Sequence, residues 1–559
     1  MRTPALALPL LLAALPAFAT APDLTPVAEA ARKTFEVPGI AVAIVKDGEL
    51  VYAEGFGVRE QGQPAPVDAD TRFAIASQTK AFTSAALSIL ADEGKLSLDD
   101  RVIDHLPWFQ MSDPFVTREM RLRDLLTHRS GLALGAGDLL FWPTTQYSTR
   151  EIVQRLRHVP LATSFRADYA YDNVLYAVAQ LVIEEVSGQA YGDFLRERIF
   201  APVGMRDTVV NSDFLPPGAN AAVGHAQPGF TGPLVTVPPM TWSNNQGAGG
   251  IYASVNDLAK WMRVQLAGGV LGKDEAGQER RLFSAERHRA MWELVTPIRI
   301  PAEPAVPALA PSLPQFAGYG EGWSLSDYRG KKLVWHTGGW PGMVSRVTLV
   351  PQLDLGIVVL TNQEVGAAFN AVTMEALDHY LQAPDTDWVA AYAAAVAKAR
   401  SGADEKWTAH QAARDKRSKP SLPLSAYAAT YADPWYGDVT VALEGKALVM
   451  RFAKTAALAG TLEHWQHDTF LVRWHDRALN ADAFASFDLT PDGKVRELRL
   501  EAVSSLTDFS FDFHHLRLVP KPAPAPAPRG QKHTPPRGAA GGFAAARRGT
   551  PPARPARGR

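Results

Sequence analysis

The chain has 559 residues, of which 46% are hydrophobic, and a net charge of −1 at pH 7. This length is sufficient for about three or four domains, and the apolar content is sufficient for a sizeable core. There is no cysteine, which excludes disulfides, thiol catalysis and cysteine-based metal sites.

The first 19 residues have the three parts of a secretory signal peptide. Arg2 provides the positive start, residues 5–15 provide a short apolar core, and residues 17–19 (Ala-Phe-Ala) match the small-x-small cleavage pattern. The apolar run is shorter than the roughly 20 residues that a membrane-spanning helix needs, so a membrane anchor is the less favoured alternative. We therefore expect a bacterial protein that is exported to the periplasm or the medium, with no transmembrane segment in the mature chain.

The next part of the chain predicts an α+β fold. Residues 39–58 (GIAVAIVKDGELVYAEGFGV) contain two β-type runs around Asp47-Gly48, a dipeptide that favours a hairpin turn. Helical periodicity predominates in residues 77–262, strand-type segments return in residues 318–362, and a helical segment follows at residues 365–381. The economical interpretation is one antiparallel sheet, with two strands before and about three strands after a large helical insertion, flanked by helices. This arrangement leaves a cleft between the sheet and the helical part.

Three segments of different composition follow residues 20–382, which we interpret as the first globular domain. Residues 383–420 are rich in Ala, Lys and Arg and have little apolar face, which predicts a helical linker. Residues 421–520 contain short alternating strands separated by turn residues, the pattern of a small all-β barrel or sandwich. Residues 521–559 consist largely of Pro, Ala, Gly and Arg and cannot bury a core, which predicts a disordered tail.

The predicted tail is also the basic part of the chain. Nine of the 57 Lys and Arg residues lie in residues 521–559, which contain no Asp or Glu, so residues 1–520 carry 48 basic and 58 acidic groups. An acidic body is not typical of a nucleic-acid-binding protein, and no nucleic-acid partner is predicted. The basic tail would instead hold the protein near an anionic cell-envelope polymer.

The first chemical motif is Ser77-Gln78-Thr79-Lys80, at the start of an apolar helical segment. Three residues along a helix correspond to about 300° of rotation, so Ser77 and Lys80 share one face. A partly desolvated lysine in that position can accept the proton of the serine, and the helix N-terminus favours negative charge there. The alternative is a helix cap followed by a solvated lysine, and this motif alone does not decide between the two.

Two further motifs favour the catalytic interpretation. Tyr171-Asp172-Asn173 is the one Tyr-x-Asn among the 14 tyrosines of the chain. His336-Thr337-Gly338-Gly339 lies in a strand-type segment that ends in glycines, and a glycine-lined strand edge lets a substrate backbone pair with it.

In this order the motifs Ser-x-x-Lys, Tyr-x-Asn and [Lys/His]-Thr-Gly resemble the serine β-lactamase and penicillin-binding protein superfamily. The similarity is closest to its class C and D-aminopeptidase/esterase-like branch, and it covers about residues 25–382. The flanking segments at residues 122–132, 171–208 and 247–261 agree. The resemblance implies a β-lactamase/transpeptidase-like fold, and residues 421–520 more weakly resemble the β-barrel appendage of some members.

The resemblance implies catalytic roles for three residues. Ser77 would attack a carbonyl carbon and become acylated. Lys80 and Tyr171 would share the serine proton, deliver it to the leaving group and later activate water. Which of the two acts as the base stays open.

The resemblance also implies where a substrate would bind. The backbone N–H groups of Ser77 and Gly339 would form the oxyanion hole. The Asn173 side chain would hydrogen-bond the amide on the acyl side of the substrate, and Thr337 and Gly338 would line the wall of the site.

His336 stands where the family pattern also allows lysine, and it would line the same wall. A lysine there offers a fixed positive charge to a substrate carboxylate, whereas histidine is mostly neutral at pH 7. Neutral esters or amides are therefore favoured over β-lactams. Asp172 would add a negative charge beside Tyr171 and discourage anionic substrates, or it would simply cap a helix.

Other histidines are predicted to have no chemical role. His128 lies in a stretch that matches the family, where it is expected to be structural. His464, His467, His475 and residues 514–515 lack a ligand set at a fixed spacing, so packing among aromatic neighbours is favoured. We expect neither a metal site nor a cofactor.

The sequence thus predicts a serine hydrolase that works through a covalent acyl-enzyme. A peptidase or amidase acting on small peptides, including those with D-amino acids, is favoured. A carboxylesterase is the first alternative and a weak β-lactamase the second. The alternative outside enzymes is a binding protein that keeps the fold, and the all-β segment would cap the cleft or mediate homo-oligomers.

Overall fold

The protein is described over residues 21–522 by a computed structural model. The predicted signal peptide, and all but the first two residues of the predicted tail, lie outside the described residues. Within residues 21–522, no helix has both the length and the apolar character needed to cross a membrane.

The described α-helices are α1 Thr25–Thr34, α2 Thr79–Asp92, α3 Val102–His105, α4 Pro114–Glu119, α5 Thr149–Arg155, α6 Val174–Ser187, α7 Tyr191–Leu195, α8 Ala201–Val203, α9 Gln246–Gly249, α10 Val255–Leu266, α11 Ala285–Met291, α12 Gly366–Leu381 and α13 Trp388–Ala413. The strands of the first part are β1 Gly39–Lys46, β2 Glu49–Gly57, β3 Phe73–Ala74, β4 Val209–Val210, β5 Gly224–Ala226, β6 Val235–Val237, β7 Ile251–Ala253, β8 Val270–Lys273, β9 Glu279–Arg281, β10 Thr296–Pro297, β11 Ala317–Tyr319, β12 Ser324–Tyr328, β13 Lys331–Trp340, β14 Met343–Val350 and β15 Leu355–Thr361. Those of the second part are β16 Ala429–Asp433, β17 Gly437–Glu444, β18 Ala447–Phe452, β19 Thr455–Gln466, β20 Thr469–Trp474, β21 Ala483–Leu489, β22 Val495–Ala502 and β23 Val519–Pro520.

The central sheet has eight strands in the order β10-β11-β12-β13-β14-β15-β1-β2. Because β1 pairs antiparallel with β15, strands from both ends of this part belong to one sheet, as the sequence predicted. The turn from β1 to β2 has positive φ at Asp47 (52°) and Gly48 (76°), as a type I′ hairpin requires. The sequence predicted about three strands after the insertion, whereas β10–β15 form there, because the shortest of them are too short to show alternation.

Helices cover both faces of β1, which explains its nearly continuous apolar sequence. In β1, Ile40, Val42 and Ile44 belong to a buried cluster with residues of α12 and α13. The alternate residues Ala41 and Ala43 belong to a second cluster that includes residues of α2 and α10. The predicted α+β sheet flanked by helices, with helices inserted between β2 and β10, is therefore confirmed.

Helix α13 lies in the segment predicted as a helical linker, and its first half is part of the core. Trp388 and Ala391 are buried in the cluster that also contains α12. The Trp388 indole nitrogen donates a hydrogen bond to Asp378 of α12 at 2.8 Å. The many alanines of α13, which weaken its apolar pattern in the sequence, allow this close packing.

The second part is a nearly closed barrel of eight strands in the order β22-β21-β20-β19-β18-β17-β16-β23. Leu498 of β22 and Leu518 exchange two backbone hydrogen bonds of 2.8 and 3.3 Å, which join the ends of the sheet. Aromatic side chains fill the interior, and the rings of Trp474 and Phe513 lie 5.7 Å apart. The predicted all-β, barrel-like architecture is confirmed.

The barrel packs against the helical part through the loop at residues 503–518. The Asp512 carboxylate in this loop accepts hydrogen bonds from the backbone N–H groups of Gly137 (2.8 Å) and Leu139 (3.2 Å). Arg155 of α5 donates to the Trp435 carbonyl at 2.9 Å. The barrel loop therefore fixes the segment at residues 135–140, which borders the site described next.

Candidate active site

Ser77 lies in a short 3₁₀ turn, Ala76–Gln78, directly before α2. Ala76 has φ 46°, a left-handed conformation that costs a non-glycine residue on the order of 1 kcal/mol. Strand β13 packs tightly on this turn, since a Cβ at Gly338 would lie 2.0 Å from the Ile75 carbonyl oxygen. The glycine at 338 is thus what allows the Thr337–Gly339 segment of β13 to lie beside Ser77.

Lys80 is fully buried in the first turn of α2, and its Nζ lies 3.0 Å from Ser77 Oγ. Nζ also lies 2.7 Å from Asn173 Oδ1 and 3.0 Å from the Ala248 carbonyl oxygen. Burial lowers the pKa of Lys80 to about 7, although the charges of Asp138 and Asp172 oppose this shift. A substantial fraction of Lys80 is therefore neutral at pH 7, and its lone pair can take the serine proton.

Tyr171 is enclosed beside Lys80, with the centre of its ring 4.8 Å from Nζ. Burial raises its pKa well above 10, and a hydrogen-bonding interaction with Ser77 only partly opposes this. The Tyr171 hydroxyl therefore keeps its proton at neutral pH. Of the two residues for which the sequence left the role of base open, Lys80 is the better acceptor and Tyr171 the better donor.

Asn173 connects Lys80 to the barrel. Its Nδ2 donates to Asp138 Oδ2 at 2.8 Å, while its Oδ1 accepts from Lys80. The same Asp138 oxygen accepts a 2.9 Å hydrogen bond from the Ser510 hydroxyl of the barrel loop. Asp138 is completely buried, and burial raises the pKa of its carboxyl well above the usual value. An unbroken line of hydrogen bonds thus runs from Ser510 to Ser77.

Asp138 and Ser510 were missed by the sequence reasoning. Neither belongs to a recognisable motif, and they are separated by 372 positions. The one available signal was the run LALGAGDLL, in which Asp138 is a lone charge within an apolar stretch. A carboxylate in such a stretch needs buried partners, which only the folded chain supplies.

His336 is buried and neutral. Its Nε2 lies 2.8 Å from the Tyr319 hydroxyl and its Nδ1 lies 2.5 Å from the Thr337 carbonyl oxygen. Burial lowers the pKa of His336 to about 3, and the charge of Lys80 adds to the effect. Its ring lies 6.3 Å from that of Tyr171. The site wall at this position therefore carries no positive charge at pH 7.

Asp172 is buried and does not cap α6. Its Oδ2 accepts a 2.9 Å hydrogen bond from Ser130, and its backbone N–H donates to His128 Nδ1 at 3.2 Å. Asp172 is fully buried, and of the two alternatives that the sequence left open, the helix cap is wrong. His128 packs against Tyr171, with ring centres 4.1 Å apart, which fits a structural role for this residue.

The remaining predicted residues belong to β13, in the segment that lies beside Ser77. Gly339 is exposed, and nothing lies within 4 Å of the position that its Cβ would occupy. Thr337 is partly exposed and pairs with Arg346 of β14. The structure therefore brings every predicted site residue to the serine turn, to α2, or to the segments packed against them.

The histidines of the barrel hydrogen-bond to the protein around them. His464 Nε2 lies 2.9 Å from the His467 carbonyl oxygen, and His475 Nε2 lies 3.1 Å from the Thr461 hydroxyl. In the part of the chain that is described, no three His, Asp or Glu side chains are grouped so that they could hold a metal ion.

The family model named Beta-lactamase matches residues 27–381. The chain belongs to the Beta-lactamase family. A second model, a domain of unknown function (DUF3471), matches residues 413–520 and so includes every strand of the barrel. The superfamily resemblance predicted from the three motifs is confirmed.

Three proteins illustrate what this Beta-lactamase family member is similar to. The unguisins hydrolase ungD of Aspergillus violaceofuscus (strain CBS 115571) is 28% identical over 506 residues, which cover 84% of this chain and 85% of that protein. The octameric penicillin-binding protein homologue from Pyrococcus abyssi has a TM-score of 0.55 at 22% identity, covering 89% of this chain and 99% of that one. The D-amino acid amidase from Ochrobactrum anthropi SV3 has a TM-score of 0.51 at 23% identity, covering 64% and 99%. The two solved structures share the fold.

Proposed function

We propose that this Beta-lactamase family protein is a serine hydrolase that cleaves amide bonds through an acyl-enzyme on Ser77. The observation that carries the proposal is the lysine of lowered pKa, about 7, with Nζ 3.0 Å from the serine hydroxyl. A buried amine that can be neutral at pH 7 is a base matched to this task. A binding protein that had kept only the fold would have no need of such a lysine.

In the first half-reaction Lys80 accepts the proton of Ser77, and Oγ bonds to the substrate carbonyl carbon. The backbone N–H groups of Ser77 and Gly339 stabilise the oxyanion. When the intermediate collapses the C–N bond breaks, Tyr171 gives its proton to the leaving amine, and Lys80 returns a proton to Tyr171. In the second half-reaction water loses a proton to the same pair, attacks the acyl carbon and releases the acid, and Ser77 is protonated again.

The names of similar proteins support an amide substrate. One relative is named as a hydrolase of unguisins, and one protein of the same fold is an amidase of D-amino acids. We therefore propose small peptides or amides, including those with D-amino acids, as substrates. The neutral His336 gives a specific reason to keep a carboxylesterase as second candidate, since the wall offers no cation to a substrate carboxylate. The same reason places β-lactams last.

Three chromogenic substrates separate these candidates. We expect a D-alanine p-nitroanilide and a p-nitrophenyl ester to be hydrolysed, and nitrocefin to be turned over at least tenfold less efficiently in kcat/KM. Ser77→Ala should abolish every one of these activities. Rapid turnover of nitrocefin alone, or activity that survives in Ser77→Ala, would contradict the proposal.

The activity is expected to depend on pH through Lys80. Because Lys80 must be neutral to accept the serine proton, kcat/KM for a neutral ester should rise with pH, with a midpoint near the Lys80 pKa of about 7. The charge of Asp172 raises the pKa of Lys80, so Asp172→Asn should move the midpoint to lower pH. A midpoint that stays in place or moves to higher pH in this variant would contradict the expected effect of this carboxylate on the pKa of Lys80.

Two expectations from the sequence stand as further proposals. We propose that the protein is exported after removal of residues 1–19, so that the N terminus of protein recovered from the periplasm or medium would begin at Thr20.

A homo-oligomer is the second proposal, supported by the octameric state named for the Pyrococcus abyssi homologue. Light scattering on the purified protein would measure the mass in solution.

A further inference from the structure

We propose that a cavity beside Gly339 is the subsite for a bulky, apolar and non-anionic acyl group of the substrate. The inference rests on the function proposed above and names the substrate class of that same site. The cavity has a volume of about 350 Å³ and is lined by residues from the catalytic part, from α13 and from the barrel. This volume is in the range typical of small-molecule sites.

The cavity begins where the predicted oxyanion hole ends. It is lined by Gly339, Trp340 and Pro341, at the end of β13. The opposite direction along β13 leads to His336, about 10 Å away at the rise of an extended strand. A substrate whose carbonyl oxygen is held at Gly339 therefore has one side next to the cavity. We assign that side to the acyl group, and two esters that share a leaving group test the assignment.

The lining favours an apolar group with the bulk of an aromatic ring. Trp142 and Trp340 come from the catalytic part, Val396 from α13, and Leu479 and Phe511 from the barrel. An acyl group that extends to these side chains would bury its apolar surface among them. A short group such as acetyl would leave most of the cavity unfilled.

The charged residues of the cavity disfavour an anion. Glu364 and Asp508 both line it, and the enclosed position together with the charge of Asp508 raises the pKa of Glu364 to about 7. Asp476 adds a third carboxylate. The guanidinium of Arg400 also lines the cavity, but it donates to the Gln227 side chain at 3.1 Å. The enclosure and the neighbouring carboxyl group that raise the pKa of Glu364 would likewise disfavour the charged form of a carboxylate on the acyl group.

Two p-nitrophenyl esters that share a leaving group test the subsite. We expect kcat/KM to be at least tenfold higher for the 4-phenylbutyrate than for the acetate after correction for their intrinsic hydrolysis rates. Ala399 is exposed on α13 and lines the cavity, so Ala399→Phe should remove most of this preference without changing kcat/KM for the acetate. Ala397 is exposed on the same helix but does not line the cavity, so Ala397→Phe should behave as the wild type.

Two further measurements complete the test. A p-nitrophenyl glutarate monoester should be at least tenfold poorer than the uncharged pentanoate ester. If Ala399→Phe lost acetate hydrolysis, Ala478→Phe on the barrel side of the cavity would replace it in the comparison. An unchanged preference in a folded variant that fills the cavity, or equal rates for the two ester lengths, would overturn the subsite while Ser77-dependent hydrolysis persisted. Absence of Ser77-dependent hydrolysis of any ester or amide would instead overturn the proposed function.

Discussion

Lys80→Met is expected to lower kcat/KM by about 10³-fold on every substrate, because it removes the group that accepts the serine proton. Methionine is close to lysine in length and packs readily in a buried site, so the fold should persist. The carbonyl oxygens of Asn173 and Ala248 lose a donor, which costs about 1–3 kcal/mol of stability each. Steady-state kinetics together with thermal unfolding would separate the two effects.

The matched control for this variant is Lys332→Met. Lys332 is partly buried, and its Nζ donates a 2.7 Å hydrogen bond to the backbone carbonyl of Trp292, not to Ser77. The control should retain wild-type kcat/KM. If Lys80→Met kept more than a tenth of the wild-type value, Tyr171 rather than Lys80 would have to be the base.

Gly338→Ala is the second variant for which we expect a large loss of activity. It displaces the site residues without removing any of their chemical groups. The new Cβ would lie 2.0 Å from the Ile75 carbonyl oxygen and 2.6 Å from Ser345 Oγ, so β13 must move away from the serine turn. A displacement of about 1 Å in a catalytic constellation can cost about 10²-fold in rate. We expect at least this loss in kcat/KM, together with a lower melting temperature.

Gly339→Ala is the structural control, because open space surrounds the position of its Cβ. It should melt at the wild-type temperature, in contrast to Gly338→Ala. Equal melting temperatures and equal reaction rates with a fluorophosphonate in Gly338→Ala and the wild type would show that β13 does not depend on this close approach.

The sheet was predictable from the sequence because its signals are local. The Asp47-Gly48 turn and the apolar runs on either side of it specify a hairpin within 20 residues. The short edge strands and the packing of α13 were less predictable. Alanine carries little apolar periodicity, so the face that Trp388 anchors on α12 became visible only in the folded chain.

The site also has features that local sequence predicts and features that only the folded chain determines. Ser77 and Lys80 are one helical turn apart, so their contact follows from their spacing. The place of Tyr171 and His336 beside them followed from the resemblance to a family, not from the residues alone. The charge state of His336 and Lys80 depends on burial by the whole fold, and the Asp138–Ser510 hydrogen bond joins two distant parts of the chain.

The environment of Asp172 was not predictable from the sequence. The sequence left open a negative charge beside Tyr171 that discourages anionic substrates, or a helix cap, a common role for carboxylates near helix starts. The structure shows Asp172 fully buried, accepting a hydrogen bond from Ser130 and not capping α6. The sequence contained no sign of that partner, which lies 42 positions earlier.

The central claim is that Ser77 carries the acyl group, and the mass of a trapped intermediate tests it most directly. A p-nitrophenyl ester reaction would be quenched with acid during turnover, and the intact protein and its proteolytic peptides would be weighed. We expect the added mass of one acyl group on the peptide that contains Ser77, and none in Ser77→Ala. An acyl group on another residue, or turnover that persists in Ser77→Ala, would show that Ser77 is not the nucleophile.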